Sequence, residues 1–382
     1  MLKLVLGTSG SGKTTLLYAR IRARAEAGKR SILLVPEQFT SSTEARIYRE
    51  LGDALSGMVE SYSFTSLAEH ILAVEGGAAV QTLTDAGRAV LVRRALEELQ
   101  DNVHYYYRHR RSAAFCQMAA ETIDELKSAG LSGQQLQELA RDCGTESAKL
   151  GELALIFQGY ESLLAGTGMD PADRLELAAD RLEAALARDE LPDFLREREV
   201  FIDEFDTFNA PKKRLMGAML AALPAVTVAL CEDGAPMQPG DLELFSGAKQ
   251  VAAQLRQLAR KNGAQVAAPE LLRRDLRHKD APGLAALTEL LETGSCTPPE
   301  SAPELRLFAA ASREEEARCA AAAIRRLMRQ GVRCGKIAVV CRDISLYRAA
   351  VRYEFRMAEI PLYCDEPTTP EFSAPATAVR AL

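Results

Sequence analysis

The feature that most constrains this sequence is the run GTSGSGKT at residues 7–14, which fits the pattern G-x-x-x-x-G-K-[ST] without a mismatch. A short apolar run at residues 2–6 precedes it, and residues 14–27 follow with a composition that predicts a helix closed by Gly28. Glycines at this spacing let successive backbone N–H groups point inward around an anion, and the helix N-terminus adds positive potential. The alternative, a glycine-rich turn without a ligand, is uncommon between a strand and a helix.

The run at residues 7–14, called the phosphate loop below, predicts binding of ATP with Mg²⁺. Lys13 should reach the β- and γ-phosphates, and the Thr14 hydroxyl should ligate the metal. The residues predicted to surround the phosphates are Gly7, Thr8, Ser9, Gly10, Ser11, Gly12, Lys13, Thr14 and Thr15.

A second half of the nucleotide site is predicted after the run EVFID at residues 199–203. Nucleotide hydrolysis needs a carboxylate at the end of a neighbouring strand to hold the metal from the other side. Asp203 ends this run and is predicted to ligate Mg²⁺, while Glu204 is predicted to orient or deprotonate the attacking water. The alternative is a solvated acidic turn, which is common at strand ends, but the phosphate loop favours the functional interpretation.

The order of the segments predicts an α/β fold of the P-loop NTPase type, with a parallel sheet. Short apolar runs at residues 2–6, 31–35, 199–203 and 225–231 are typical of buried parallel strands, and the strand–helix–strand order of the first 36 residues requires a parallel sheet. Residues 85–195 show helical patterns alone. We therefore predict a first parallel-sheet domain from residues 1–84 and 196–296, interrupted by a helical insertion at 85–195.

A proline-rich linker at residues 297–303 leads into the last segment of the sequence. Residues 305–309 and 337–341 are predicted strands, and residues 312–330 a helix with Ser312 as N-cap and Glu315 three residues later. Residues 303–382 are therefore predicted to form the start of a second sheet domain that continues beyond Leu382.

The net charge, the cysteines and the apolar runs indicate how the protein could bind DNA and in which compartment it is found. A net charge of −6 argues against gripping duplex DNA through bulk positive charge, but it leaves room for a narrow channel with few phosphate contacts. The eight cysteines never form C-x-x-C, as expected of reduced thiols. No apolar run approaches the roughly 18 residues that span a bilayer. These observations predict a soluble, cytoplasmic protein without a membrane partner.

The run YYYRHRR at residues 105–111 mixes aromatic and cationic side chains. Such a composition can stack bases and pair phosphates. It is equally typical of a helix end where tyrosines cover a core and arginines face water. The second interpretation is favoured because nothing in the sequence orients the run.

The order of these motifs resembles that of superfamily 1 helicases. The phosphate loop is followed by VPEQFT at residues 35–40, SYSFTSLAEHIL at 61–72 and FIDEFDTFN at 201–209, with SREEEA at 312–317 and IAVVCRD at 337–343. The position of VPEQFT directly after the second strand more particularly resembles the B subunit of AddAB-type ATP-dependent helicase–deoxyribonucleases. That family processes double-strand DNA ends for recombinational repair. The resemblance implies that the two sheet domains, at residues 1–84 with 196–296 and at residues 303–382, are RecA-like.

The resemblance implies further site residues and partners. Contacts to single-stranded DNA are implied for Gln38, Phe39, Thr40, Ser63, Phe64, Thr65 and Ser66. Arg342 falls on the motif IV arginine, which implies a catalytic role facing the nucleotide phosphates from the second domain. Single- and double-stranded DNA ends and a motor and nuclease partner subunit are the implied partners. An iron–sulfur cluster is implied only in a nuclease domain beyond Leu382.

Several residues depart from the helicase motifs, and these departures affect the motor activity that the sequence predicts. Cys341 stands where a stacking Tyr often precedes the motif IV arginine, and Ser246 replaces the arginine of motif III. No glutamine sensor of the γ-phosphate is recognisable at residues 231–248, and the upstream adenine-reading glutamine and motifs V and VI lie outside the chain. The sequence therefore predicts a weak or inactive motor with little ATPase activity that acts as a scaffold and DNA reader. The alternatives are an active superfamily 1 motor and an unrelated P-loop kinase.

Overall fold

The computed structural model describes residues 1–77, 82–236 and 244–364. Contacts within the chain divide it into two compact units, Met1–Pro299 and Glu300–Leu382. Each unit is described by itself below. Among the helices of the described residues, none combines the length and the apolar composition needed to cross a bilayer.

The first unit contains a six-stranded sheet in which every pair of neighbouring strands is parallel. Its strands are β1 (Leu2–Gly7), β2 (Ser31–Leu34), β3 (Val59–Tyr62), β4 (Glu199–Ile202), β5 (Ala225–Cys231) and β6 (Glu270–Leu272). They lie in the order β3-β2-β4-β5-β1-β6. β5 therefore separates the strand that carries the phosphate loop from the strand that ends before Asp203.

Helices surround this sheet and fill the interval between β3 and β4. They are α1 (Lys13–Glu26), α2 (Thr40–Leu51), α3 (Asp53–Ser56), α4 (Phe64–Glu75), α5 (Asp85–Glu98), α6 (Ala113–Ser128), α7 (Gly133–Ala140), α8 (Ser147–Leu164), α9 (Pro171–Ala187), α10 (Ala210–Ala222), α11 (Ser246–Lys261) and α12 (Pro282–Thr293).

Side chains alternate across the sheet, so each face has its own core. Leu33, Val5 and Phe201 point to one face and pack against residues of α1 and α2. Leu4 and Val200 point to the other face, where α4, α9, α10 and α11 cover them. α5, α6 and α8 pack around a separate core that includes Phe157, so much of this helical region holds itself together.

The buried Glu199 at the start of β4 is hydrogen-bonded to residues of β1 and β5 and to the last turn of α1. Its Oε1 accepts hydrogen bonds from Lys3 Nζ at 2.9 Å and from Thr227 Oγ1 at 2.7 Å. Its Oε2 accepts a longer bond of 3.4 Å from Arg24 Nη1. These opposite charges hold the pKa of the Glu199 carboxyl below its ordinary value, although burial opposes the effect.

A second buried charge joins three helices of the helical region. Lys127 of α6 donates to Asp170 Oδ2 at 2.9 Å and to Asp173 Oδ2 at 2.9 Å, both at the start of α9. The Tyr160 hydroxyl of α8 donates to Asp170 Oδ1 at 2.7 Å. Asp170 is only 1% exposed, and each of its carboxylate oxygens accepts a hydrogen bond.

The second unit is built around two helices, α13 (Arg313–Arg329) and α14 (Ile344–Met357). Ala317, Ile324 and Phe355 are part of its small core. Ser312 is the N-cap of α13, and its hydroxyl accepts the backbone N–H of Glu315 at 3.3 Å, as predicted.

The sequence predictions for the elements are confirmed in the first unit and partly wrong in the second. The strands predicted at residues 2–6, 31–35, 199–203 and 225–231 are present within a residue or two at each end. The strands predicted at 305–309 and 337–341 are wrong, because neither segment has a neighbouring strand among the described residues. Several of their apolar side chains are instead exposed, Leu307 fully and Val340 at 90%.

Candidate nucleotide-binding site

The parallel sheet brings the predicted site segments to one edge, because the carboxyl ends of all strands meet there. Residues 63–66 follow β3, residues 36–40 follow β2, Asp203 follows β4 and the phosphate loop follows β1. Residues 273–278 follow β6 at the end of the same edge. This is the position where open parallel sheets bind ligands.

The phosphate loop has the backbone that an anion site requires. Gly10 and Gly12 have φ angles of 82° and 91°, in the left-handed region that favours glycine. Gly12 is the N-cap of α1 and no side chain caps that helix, so its first N–H groups remain available to a phosphate. The buried Ser11 Oγ has no hydrogen-bond partner among the described residues, and it lies in the same loop. These orphaned donors fit a bound triphosphate.

Lys13 lies with its ammonium folded back on the loop. Nζ donates to the carbonyl oxygens of Gly7 at 2.7 Å and Thr8 at 2.8 Å. Burial lowers the pKa of Lys13, while the nearby charge of Asp203 acts in the opposite direction. Burial raises the pKa of the nearby Glu292 carboxyl, and the Thr8 hydroxyl opposes that rise. An anion bound in this loop would lie near the partly buried ammonium of Lys13.

Thr14 and Asp203 lie near each other even though β1 and β4 are not neighbours in the sheet. The Thr14 hydroxyl is close enough to the Asp203 carboxylate to favour its ionised form. Oδ1 of Asp203 accepts the backbone N–H of Glu204 at 3.0 Å. Asp203 is 5% exposed, and burial raises the pKa of its carboxyl although the Thr14 hydroxyl and the Glu204 N–H oppose the rise. The two side chains predicted to ligate Mg²⁺ therefore meet at one point.

The donor set around Asp203 fits a metal that arrives with a nucleotide. Mg²⁺ in nucleotide sites is held by one or two protein oxygens together with phosphates and water, and Thr14 and Asp203 supply such a pair. Over residues 1–77, 82–236 and 244–364, no cluster of three or more His, Cys, Asp or Glu side chains could hold a metal ion.

Glu204 is held in an unusual backbone conformation beside Asp203. Its φ angle is 65°, in the left-handed region that few non-glycine residues adopt. Burial and the charge of Asp203 both raise the pKa of the Glu204 carboxyl. A raised pKa makes this carboxylate a better proton acceptor, as the predicted role requires.

Arg277 is a candidate site residue that the sequence did not reveal. Its Nη1 donates to Ser9 Oγ at 3.2 Å, across 268 residues of sequence. The segment is fixed to the phosphate loop by the Leu276 N–H, which donates to the Gly10 carbonyl at 3.0 Å. Asp275 Oδ1 in turn accepts the backbone N–H of Arg277 at 2.9 Å. Only the fold reveals this cation, because the sequence around it matches no phosphate-binding pattern.

Arg46 of α2 is a second cation near the site. Its guanidinium carbon lies 4.8 Å from the ring centroid of Tyr18 in α1. Burial raises the pKa of Tyr18 to about 12, and the charge of Arg46 opposes that rise. The same arginine lowers the pKa values of Asp203 and Glu204 against the burial effect.

The residues predicted to contact DNA differ in their exposure. Gln38 is exposed, and Phe39, Thr40, Thr65 and Ser66 are half-buried. The Thr40 hydroxyl is hydrogen-bonded to the Glu37 carbonyl.

Two of the predicted DNA contacts are buried. Ser63 caps α4 by accepting the backbone N–H of Ser66 at 3.1 Å. Phe64 is 2% exposed and packs edge-to-face on Phe205 with ring centroids 5.3 Å apart. Its ring offers no free face to a base in this structure.

Thr15, Arg342 and the segment compared with motif III complete the set of predicted site residues. Thr15 is exposed in the first turn of α1. Arg342 belongs to the second unit and lies two residues before α14. Of the segment compared with motif III, residues 237–243 lie outside the described residues. The roles of Thr15 and Arg342 remain predictions.

Comparison with known proteins identifies the family. Residues 4–288 match the family described as ADDB, N-terminal. This chain belongs to the AddB N-terminal family. The resemblance drawn from the order of the motifs is thereby confirmed.

Several AddB relatives match almost the whole chain. The B subunit of the ATP-dependent helicase/deoxyribonuclease of Moorella thermoacetica is 33% identical over 379 residues, which are 95% of this chain and 32% of that protein. The proteins of the same name from Desulforudis audaxviator and Symbiobacterium thermophilum are 34% and 32% identical. They match 95% and 96% of this chain and 32% of their own length. The chain thus spans about a third of the length of these AddB relatives.

Proposed function

We propose that this chain is the ATP-binding, helicase-like N-terminal region of a helicase–nuclease subunit that processes double-strand DNA ends for recombinational repair. The observation that carries the proposal is the proximity of Thr14 and Asp203 beside the uncapped N-terminus of α1. A metal-ligating hydroxyl, a carboxylate and free backbone N–H groups are the parts that a Mg²⁺-nucleotide requires. The names of the AddB relatives support the choice of helicase and nuclease over kinase.

The proposal assigns the first unit to the RecA-like motor fold. One strand, β5, lies between β1, which carries the phosphate loop, and β4, which Asp203 follows. The resemblance to superfamily 1 helicases supports this assignment. In bound nucleotide, Mg²⁺ would neutralise phosphate charge. Lys13 and the first N–H groups of α1 would bind the phosphates, and Glu204 would accept a proton from water.

We further propose that the motor is weak and that the region acts mainly as a scaffold and DNA reader. Ser246 in place of the motif III arginine supports this, since phosphoryl transfer depends on cations placed near the γ-phosphate. The exposed Gln38 and the half-buried Thr40 and Thr65 are the proposed DNA contacts at the carboxyl edge. A motor and nuclease partner subunit completes the proposal, because each of these relatives is named as one subunit of its enzyme. The iron–sulfur cluster beyond Leu382 stays a prediction.

The substitution Lys13→Ala tests nucleotide binding directly. It removes the charge predicted to meet the β- and γ-phosphates and leaves the backbone of the loop intact. ATP affinity should fall more than tenfold in calorimetry, because a hydrogen bond to a charged group is worth about 1.5–3 kcal/mol. The exposed Lys29, substituted by Ala, is the matched control. Equal affinity of the Lys13→Ala variant and the parent would refute the nucleotide site.

An active motor is the second candidate, and Arg277 favours it. A cation that already contacts the phosphate loop could supply part of the charge that motif III lacks. Steady-state phosphate release with single-stranded DNA separates the two candidates. A weak motor should turn over below about 1 s⁻¹, at the lower end of ordinary enzymes. Faster release that Lys13→Ala abolishes would establish the active motor.

A further inference from the structure

A cavity of about 380 Å³ lies in the helical region, between the start of α5 and the start of α6. Ala89, Val90 and the buried Cys116 contribute apolar surface to it, and Val90 is 63% exposed. Arg93, Arg110 and Arg111 line the same cavity. Its volume is in the range of pockets that accept one anchoring group of a ligand.

The arginine side chains give this cavity a local positive charge in an acidic chain. Among the described residues, neither Arg110 nor Arg111 has a carboxylate within ion-pair distance, whereas Arg93 pairs with Glu97 at 3.1 Å. The one acidic residue of the lining, Asp85, already pairs with Arg88 at 2.8 Å. An acidic ligand would therefore find two guanidinium groups without competing carboxylates.

Arg110 is held in place before any ligand binds. Its guanidinium carbon lies 3.9 Å from the ring centroid of Tyr107, and Nη1 donates to the Tyr107 carbonyl at 3.2 Å. The Cys116 thiol donates to the Arg110 carbonyl at 3.6 Å, which fixes this backbone to α6. A pre-positioned guanidinium loses less conformational entropy when it binds a carboxylate.

The lining favours a protein ligand over a nucleic acid. Single-stranded nucleic acids bind on aromatic stacking platforms, but none of the described side chains that line this cavity is aromatic. The tyrosines of residues 105–107 are used elsewhere: Tyr106 stacks on Phe115 at 5.5 Å, and Arg110 covers Tyr107. Arginine is instead enriched at protein interfaces, where it binds carboxylates bidentately.

We propose that this cavity docks an acidic segment of another protein chain, which inserts one large apolar side chain and pairs its flanking carboxylates with Arg110 and Arg111. The inference does not depend on the nucleotide site. It gives a specific use to the arginines of the run at residues 105–111, while the tyrosines of that run remain structural.

A fluorescent peptide with the sequence Asp-Glu-Leu-Phe-Glu-Asp serves as the probe, and binding is measured by anisotropy on the 382-residue chain. A peptide with two serines in place of Leu-Phe reports on the apolar contribution. The variant Arg110→Glu/Arg111→Glu should weaken binding of the first peptide at least tenfold, and Val90→Asp should do the same. The exposed Arg141 and Arg181, both changed to Glu, form a control with the same change in net charge.

The outcomes distinguish a protein segment from a nucleic acid as the ligand of the cavity. The proposal stands if the Leu-Phe peptide binds more tightly than the serine peptide and only the cavity variants weaken it. It is overturned if the peptide does not bind, or if the control variant weakens binding as much as Arg110→Glu/Arg111→Glu. Labelled oligothymidylate is titrated in parallel. If the cavity variants abolish its binding and spare that of the peptide, the cavity holds nucleic acid and the proposal fails.

Discussion

At the scale of single residues, Asp203 carries a buried charge whose cost depends on pH. Its pKa is raised in the folded protein, so without nucleotide and metal the fold favours the protonated carboxyl. Its contribution to stability is fully present below the unfolded pKa and is lost as pH rises through the higher folded pKa. Metal binding reverses this preference, since Mg²⁺ requires the carboxylate.

Asp203→Asn should therefore raise the melting temperature of the nucleotide-free protein at neutral pH. The advantage should shrink in acid, where Asp203 of the parent is itself protonated. Thermal unfolding measured from pH 4 to pH 8 checks this, with a parallel series in Mg²⁺ and ATP. In that series the order should invert, because the variant lacks the ligand for Mg²⁺. A variant less stable than the parent at neutral pH without ligands would contradict the burial argument.

Arg277 gives a second prediction at this scale. Arg277→Ala should weaken ATP binding about tenfold, as expected for loss of one charge-assisted contact to a phosphate. Arg274→Ala is the matched control, since Arg274 is exposed on the same segment. Calorimetry of both variants with ATP and ADP decides the matter. Equal effects of the two substitutions would show that Arg277 acts only through general charge.

At the scale of elements, the Lys127 cluster joins α6, α8 and α9 through a buried charge. Lys127→Met keeps the aliphatic stem but leaves Asp170 buried with the Tyr160 hydroxyl as its remaining side-chain donor. Breaking a buried pair in this way should cost about 3–5 kcal/mol in the free energy of unfolding by urea. Tyr160→Phe should cost about 1–3 kcal/mol.

The double variant Lys127→Met/Asp170→Asn is the control for this cluster. Asn removes the stranded charge and can still cap α9, so the double variant should be more stable than Lys127→Met alone. If both lose the same stability, the loss comes from packing and not from the buried charge.

The elements that the sequence predicted are those marked by strong local chemistry. β1 and α1 flank the glycines of the phosphate loop, and β4 is an apolar run ended by Asp203. β3 and β6 were missed, because β3 carries Glu60 and Ser61 and β6 has three residues. The segments at 305–309 and 337–341 show the opposite error. An apolar run is compatible with a strand, but a strand also needs a neighbour, and local composition does not report one.

The site was predictable only in the part that lies in local motifs. Lys13, Thr14 and Asp203 could be predicted because each belongs to a recognisable pattern next to a strand. Arg277 was not, since its contact with Ser9 joins segments 268 residues apart and exists only in the folded chain. The burial of Phe64 was equally hidden, because a motif does not tell which side of a helix faces the core.

At the scale of the whole molecule, an acidic chain should bind DNA modestly and through few phosphates. We expect oligothymidylate to bind more tightly than duplex of equal length. The logarithm of affinity should fall with the logarithm of salt at a slope between about −1 and −3, since each neutralised phosphate of a single strand contributes about −0.7. Gln38→Ala should weaken binding, whereas the exposed Gln254→Ala should not. Equal affinity for both DNA forms in filter binding would remove the DNA-reading role.

The hydrogen bonds of Glu199 to Lys3, Arg24 and Thr227 restrain the amino end of β4. β4 has four residues and is therefore about 13 Å long, with Glu199 at one end and Asp203 just past the other. A tilt of about 5° around the clamped end moves the far end by about 1 Å, and a misplacement of that size can change a rate about a hundredfold. Lys3 and Arg24 therefore hold β4 at the end that lies opposite the candidate nucleotide site.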